Sequence, residues 1–202
     1  GYLSAIADTR HLGLALWIGE FGCNPADTQT ILSAHYREQD AFGLGGSLWL
    51  WKENANDINR TVFWGVYGPP FGPGVPQPDR IRLTSRPFPL YTAGNLRAIS
   101  YDAGNGRFRM RATSRRVPFG ETSRATILLL PAATGSRVRA HGARVLVLRR
   151  DTGREAFVFP SGGAYSVAVG ERRVSPWPRR AVQQVPLLCP PPAGSRAPPA
   201  PC

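Results

Sequence analysis

Lysine, cysteine and long apolar runs are all scarce in this chain of 202 residues. No apolar run approaches the roughly 18 residues of a membrane-spanning helix, so the sequence predicts none. Three cysteines are present, Cys23, Cys189 and Cys202, and no CxxC pair exists, so we expect no structural zinc site. Cys189 and Cys202 bracket a proline-rich segment, and whether they pair stays open.

The net charge of +12 is unevenly distributed along the chain. Residues 1–66 hold four basic and seven acidic residues, whereas residues 67–202 hold 21 basic and six acidic ones. A basic segment of this kind is typical of proteins that bind nucleic acid or an anionic surface. Lys52 is the only lysine, however, and no nucleic-acid motif accompanies the charge. We therefore predict a solvated arginine-rich surface and no nucleic-acid partner.

The first third of the chain follows the order helix, strand, helix, strand. Apolar spacing predicts a helix over 2–12, and the run LALWI at 14–18 predicts a strand that is buried on both faces. A second helix is predicted over 28–42 with Asp27 as its N-cap, followed by a second buried strand, SLWLW at 47–51. Short connections between such elements are typical of parallel βα units.

The pattern changes twice after residue 66. Residues 67–89 are rich in proline and glycine and predict no regular element, but a linker or a strap over a neighbouring surface. Residues 90–170 alternate with period two, which predicts a small antiparallel β-sandwich. Its strands are expected at 96–101, 107–113, 125–130, 144–149, 155–159 and 165–169. Residues 171–202 have the composition of a disordered proline-rich tail.

A lone carboxylate follows the first predicted strand, in the stretch IGEFG at 18–22. A retaining glycosidase needs an ionised, fixed carboxylate at the anomeric carbon, and the carboxyl end of a parallel strand can supply one. Glu20 fits that requirement. It is equally compatible with an ordinary loop glutamate, and five residues alone do not decide between the two.

Aromatic and polar residues end the second predicted strand. Trp49 and Trp51 lie two residues apart and are expected to share a face, where they could stack on a sugar or pack in a core. Lys52 and Glu53 follow, either as hydrogen-bonding partners of a sugar or as solvated loop residues. The three histidines are scattered without paired carboxylates or cysteines, so we expect no metal and no cofactor.

Two stretches together carry a family resemblance. LALWIGEFG at 14–22 and FGLGGSLWLWKEN at 42–54 resemble the last quarter of the catalytic barrel of glycoside hydrolase family 5. RPFPLYTAG at 86–94, followed by ISYDAGNGRFRMR at 99–111, is similar to the segment that opens the C-terminal β-sandwich of endoglycoceramidase-like members. The resemblance covers about residues 1–170.

The resemblance implies an α/β part followed by an all-β part. The expected domains are the last βα units of a (β/α)8 TIM barrel at 1–66, the linker at 67–89, the sandwich at 90–170 and the tail at 171–202. It also implies a glycoside hydrolase of the EC 3.2.1 class that cleaves a glycosylceramide or related β-glucoside with retention. Glu20 would be the nucleophile, and Trp49 or Trp51 would be the platform under the sugar.

Partners and location follow from the same resemblance. The expected partner is a carbohydrate or glycolipid substrate, with peripheral membrane contact as a further option and the oligomeric state open. A secreted or extracellular location is expected rather than a cytoplasmic one. The chain begins at Gly1 without a basic and apolar leader, so we expect a fragment or a processed product.

One departure from the family pattern affects the expected activity. The acid/base glutamate of such enzymes follows the fourth barrel strand, which would precede Gly1. A complete barrel takes about 250 residues. We therefore expect the isolated chain to be inactive. The alternative is a non-catalytic β-sandwich module that binds carbohydrate or a membrane surface.

Overall fold

The computed structural model describes residues 2–51, 64–68, 74–131, 137–151 and 153–170. The α-helices in these residues are α1 (Tyr2–His11), α2 (Ser33–Phe42) and α3 (Pro78–Thr84). The first strands are β1 (Trp17–Phe21), β2 (Gly45–Leu48), β3 (Tyr67–Gly68), β4 (Val75–Pro76), β5 (Phe88–Tyr91) and β6 (Asn95–Asp102). The remaining strands are β7 (Arg107–Ser114), β8 (Thr126–Pro131), β9 (Val138–His141), β10 (Ala143–Arg150), β11 (Gly153–Pro160) and β12 (Gly163–Val169). No helix in these ranges is long and apolar enough to cross a bilayer.

The predicted order of helix, strand, helix, strand is confirmed, and β1 pairs with β2 in parallel. The expectation that both strands are buried on both faces is wrong. Trp17 on β1 is 63% exposed, because β1 and β2 form a two-stranded sheet within the described residues. The strand boundaries also differ, since β1 begins at Trp17 and β2 ends at Leu48, before the two tryptophans.

The start of the second helix also differs from the prediction. Asp27 makes no capping hydrogen bond with its side chain. A 3₁₀ turn at Pro25–Asp27 and a π-helical turn at Thr28–Leu32 come first, and α2 begins only at Ser33. Gly43 ends the helix in the left-handed conformation, with φ of +65°, which glycine adopts without a steric penalty.

The proline-rich segment contains a helix, so the prediction that it holds no regular element is wrong. Pro78 occupies the first turn of α3, where the missing amide hydrogen costs no intrahelical bond. Arg80 on this helix is 1% exposed and donates hydrogen bonds to the backbone carbonyls of Trp64 and Cys23. These bonds fasten α3 to the chain that follows β1.

Two four-stranded antiparallel sheets follow, with strand orders β10-β11-β8-β5 and β6-β7-β12-β9. Alternate residues of both sheets point inward and share one buried cluster: Phe108, Met110, Ala112, Leu128, Leu130, Ala156, Val158, Tyr165, Val167 and Val169. The structure therefore has the antiparallel sandwich that the period-two pattern predicts. β5 and β9 are strands that the sequence did not predict.

A buried polar network joins the sheets where the chain crosses from β5 to β6. Thr126 Oγ1 on β8 accepts a hydrogen bond of 2.8 Å from the Ala93 amide. The Tyr165 hydroxyl on β12 donates to the Ala93 carbonyl at 3.1 Å and lies 2.5 Å from Thr126 Oγ1. Both hydroxyls and the Ala93 backbone thus have partners, and burial raises the pKa of Tyr165.

A buried arginine joins α2 to the sandwich. Arg86 pairs with Asp40 of α2, and their side chains are 8% and 14% exposed. The Arg86 guanidinium also lies 5.2 Å from the ring centre of Tyr36 on α2 and 5.0 Å from that of Tyr101 on β6. The backbone amide of Tyr101 donates to Asp40 as well. One guanidinium therefore bridges the helix and the second sheet.

Candidate functional site

Glu20 lies in a β-bulge at the carboxyl end of β1. Ile18 pairs with Gly46 and Phe21 pairs with Leu48, so β1 holds one more residue than β2 between the two pairings. The extra residue places Ile18, Phe21 and Leu48 against the same buried cluster beside α2. Glu20, which precedes the buried Phe21, is exposed. A bulge of this kind re-aims a side chain at the edge of a site.

Trp49 directly follows the end of β2, one residue beyond the pairing of Leu48 with Phe21. Its backbone amide donates a hydrogen bond of 2.8 Å to the Phe21 carbonyl. Leu48, the preceding residue, packs against the buried cluster beside α2. The Trp49 side chain is 46% exposed. Glu20 and Trp49 are therefore both exposed at the carboxyl end of the parallel pair.

Gly22 is the point of closest backbone approach in this region. A Cβ there would lie 2.1 Å from the Trp49 carbonyl oxygen and 2.9 Å from a ring carbon of Trp64. A Cβ on Gly19 would meet nothing within 4 Å. Glycine is thus required at position 22, whereas packing does not require it at position 19.

Trp51 belongs to a different part of the site from Trp49. Its carbonyl accepts a hydrogen bond of 3.1 Å from the Tyr67 amide, and its ring centre lies 5.1 Å from that of Tyr67. The Trp51 side chain is 64% exposed. Lys52 and Glu53 lie outside the described residues. Trp64 and Tyr67 complete the aromatic surroundings and were not predicted, since they lie 13 or more residues beyond Trp51 in sequence.

The other acidic residues of the first described range lie on helices and turns. Asp8 lies on α1, Asp27 in the 3₁₀ turn, and Glu38 and Asp40 on α2. Within the described ranges, no cluster of three or more histidine, cysteine, aspartate or glutamate residues could hold a metal ion. Among the acidic residues of 2–51, Glu20 is therefore the one that lies on a strand.

Cys23 and His35 lie on the opposite, packed side of β1. Cys23 is 4% exposed, and burial is the main cause that raises the pKa of its thiol, which makes it less reactive. The His35 ring lies 5.5 Å from that of Phe21, and its Nδ1 is 2.6 Å from the Tyr2 hydroxyl. These contacts fit packing rather than chemistry.

The sequence of the sandwich strands matches a known family. Residues 86–169, which run from the buried Arg86 to the end of β12, match the model described as the glycoside hydrolase family 5 C-terminal domain. Residues 86–169 are therefore similar to the C-terminal domain of glycoside hydrolase family 5. This match confirms the resemblance that the sequence suggests, and it begins at the first residue of RPFPLYTAG. No curated protein sequence matches the chain significantly.

Solved structures with the same fold extend the likeness beyond that domain. Endo-glycoceramidase II from Rhodococcus sp., as its lactosyl-enzyme intermediate, has a TM-score of 0.59 at 20% identity, covering 81% of this chain and 35% of its own. The same enzyme in complex with ganglioside GM3 has a TM-score of 0.57 at 20% identity, covering 78% and 32%.

A third solved structure comes from a fungus. Sterylglucosidase 1 from Cryptococcus neoformans, with tris, has a TM-score of 0.57 at 14% identity, covering 76% of this chain and 28% of its own. At such identities the likeness shows a common fold. The chain spans about a third of the length of the solved structures it matches.

Proposed function

We propose that this chain is the C-terminal part of a retaining β-glycosidase and that Glu20 is its nucleophile. In this proposal residues 1–66 form the last βα units of a (β/α)8 barrel, and the sandwich braces them. The observation that carries the proposal is the position of Glu20, an exposed carboxylate in a bulge at the carboxyl end of a parallel strand pair. The exposed Trp49 follows the end of the paired strand. Active sites of parallel barrels lie at that end of the strands.

The reaction would proceed by double displacement. A carboxylate oxygen of Glu20 attacks the anomeric carbon while the bond from that carbon to the leaving oxygen breaks. The leaving oxygen takes a proton from a second carboxylic acid. Water then attacks the glycosyl ester, gives its proton to the same second residue and releases the sugar with retained configuration.

Trp49 is the better candidate for the platform under the sugar. It follows the strand end that pairs with the bulge, and its amide is bonded to the residue after Glu20. Trp51 packs instead against Tyr67, farther along the chain. We therefore assign Trp49 to the sugar at the cleavage point and Trp51 to the part of the substrate beyond it.

The proposed substrate is a sugar in β-linkage to a lipid alcohol. The support is the set of matched structures, which are named as an endo-glycoceramidase with a lactosyl intermediate or a ganglioside, and as a sterylglucosidase. Exposed Trp49 and Trp51 offer aromatic surface to a sugar ring and to an apolar aglycone.

The test places residues 1–170 of this chain in a complete barrel enzyme. In a chimera, residues 1–170 replace the corresponding C-terminal part of Rhodococcus endo-glycoceramidase II, and hydrolysis of an aryl β-glycoside is measured. We expect Glu20→Gln to lower kcat by roughly 10⁴-fold or more, as removal of a nucleophile does. Azide should restore turnover to Glu20→Ala and give a glycosyl azide of inverted configuration, because the small anion attacks from the vacated side.

The matched control is Glu38→Gln, an exposed glutamate on α2. It should leave kcat unchanged. A chimera whose Glu20→Gln variant keeps the parent kcat would remove Glu20 from the mechanism.

A further inference from the structure

The second sheet of the sandwich has a cationic outer face. On β7, Phe108, Met110 and Ala112 are buried in the core, so the alternating Arg107, Arg109 and Arg111 project outward. Arg107 and Arg109 are exposed, and Arg111 is half-buried. Three arginines thus stand in one line along the strand.

The strand register extends this line across the sheet. Ser166 of β12 pairs with Arg111 on one side and with His141 of β9 on the other. In the next row, Ala168 lies between Arg109 and Arg139. The cationic face is therefore defined by Arg107, Arg109, Arg111, Arg139 and His141, with small residues between the basic rows.

The strand register shows which acidic residue lies on this face. At the register positions of the cationic face, Asp102 opposite Arg107 is the only acidic residue among those described. The other sheet is different, because its outer face carries an apolar cluster of Ala93, Val117, Ala125, Phe157 and Phe159. The other sheet also carries four arginines, but Arg150 there pairs with Glu155 and Arg144 lies over the Phe119 ring. The two sheets thus differ in how their arginines are arranged, not in how many they carry.

We propose that the cationic face docks the protein on an anionic lipid bilayer. Its four strands span about 15 Å, from three gaps of about 4.8 Å, so the face is wide enough to lie against a plane of lipid headgroups. A single-stranded nucleic acid would need aromatic side chains for stacking, and the register positions of this face hold arginine, histidine, serine and alanine. A duplex would need an element that enters a groove, and a flat sheet face offers none.

We choose a membrane as the partner because the proposed substrate is linked to a lipid, and in this respect the inference rests on the proposed function. Docking would hold the enzyme at the surface where such a substrate is presented. The test below uses vesicles without glycolipid, so its result is independent of hydrolysis.

The experiment is co-sedimentation of the 202-residue chain with vesicles of phosphatidylcholine containing phosphatidylserine. The test variant is Arg107→Gln with Arg111→Gln, and the matched control is Arg149→Gln with Arg150→Gln on β10, in the other sheet. Each pair removes the same charge from exposed or half-buried strand arginines. We expect the test variant to bind about 30-fold more weakly, since each arginine near an anionic surface contributes on the order of 1 kcal/mol. The control should bind within about threefold of the parent.

Each outcome decides the proposal. Binding that weakens steeply between 50 and 200 mM salt, and that is absent on pure phosphatidylcholine, is the expected behaviour for about two to five basic residues at the surface. Equal losses of vesicle binding in the test and control variants would mean that net charge, and not the cationic face, determines binding. That result would overturn the proposal. Tighter binding to duplex DNA than to the vesicles at equal salt would overturn it in favour of nucleic acid. Thermal unfolding of both variants separates loss of binding from loss of fold.

Discussion

Two glycines that lie three residues apart beside Glu20 differ in what a methyl group would meet. At Gly22 it would press on the Trp49 carbonyl and the Trp64 ring, whereas at Gly19 it would enter open space. We expect Gly22→Ala to lower the free energy of unfolding by about 1–3 kcal/mol, because the backbone of Trp49 must move. The midpoint of thermal unfolding should fall by roughly 2–4 °C for each kcal/mol.

Gly19→Ala is the matched control and should leave the midpoint nearly unchanged. A Gly22→Ala protein that is as stable as the control would mean that Trp49 does not approach Gly22 as closely as described. The pair also isolates the position of Trp49, because Gly22→Ala displaces this residue without altering its side chain.

Glu20 and its neighbours show which features of single residues could be predicted from the sequence and which could not. A lone carboxylate after an apolar run was enough to single out Glu20. The bulge that exposes it was not predictable, because the bulge exists only in the register of β1 against β2. Trp64 and Tyr67 were missed for a similar reason, since they meet Gly22 and Trp51 through contacts between separate parts of the sequence.

At the scale of elements, Arg86 sets the attachment of α2 to the sandwich. Arg86→Met should lower the free energy of unfolding by about 3–5 kcal/mol, because it leaves Asp40 charged, buried and without its ion partner. The exposed pair Arg82–Asp79 on α3, with side chains 61% and 53% exposed, supplies the control. Arg82→Met should cost below about 1 kcal/mol. Chemical denaturation of the two variants measures both values.

The pH dependence of the Arg86→Met variant has a definite sign. Burial already raises the pKa of Asp40, and Arg86 acts in the opposite direction, so removal of Arg86 raises that pKa further. A carboxyl with a raised folded-state pKa binds more protons in the folded state than in the unfolded state. The loss of stability should therefore be greatest near neutral pH and shrink as the pH falls toward the ordinary carboxyl range. A loss that grows on acidification would contradict this role of Asp40.

Strand prediction succeeded where one face is buried and the other is solvated. The six predicted sandwich strands match β6, β7, β8, β10, β11 and β12 within two residues at each end, since alternation marks their inner faces. β5 was missed because Phe88 and Tyr91 are both exposed and Pro89 interrupts the pattern. β9 was missed because its four residues are too few to show a period. α3 was missed because proline was counted against a helix, although the first turn accepts it.

At the scale of the whole molecule, the described residues offer one candidate catalytic group and no acid partner beside it. We therefore expect the 202-residue chain alone to show no hydrolysis of an aryl β-glucoside above that of its Glu20→Gln variant. General acid–base help is worth about 10²–10⁴-fold, and binding subsites would be lacking as well. The measurement is product release under conditions in which the chimera turns over. Activity of the isolated chain that Glu20→Gln abolishes would mean that a proton donor exists within these residues.

The shared guanidinium of Arg86 also has a consequence for how the molecule melts. Two aromatic rings and a carboxylate now surround the Arg86 guanidinium. If α2 separated from the second sheet, the guanidinium would lose some of these contacts without becoming fully hydrated. Partial opening is therefore less favourable than complete unfolding. The part that holds Glu20 and the sandwich should thus lose structure in one cooperative step. A small βα unit with few buried residues of its own then keeps its shape at temperatures set by the larger β domain, which gives a reason for both to reside on a single chain.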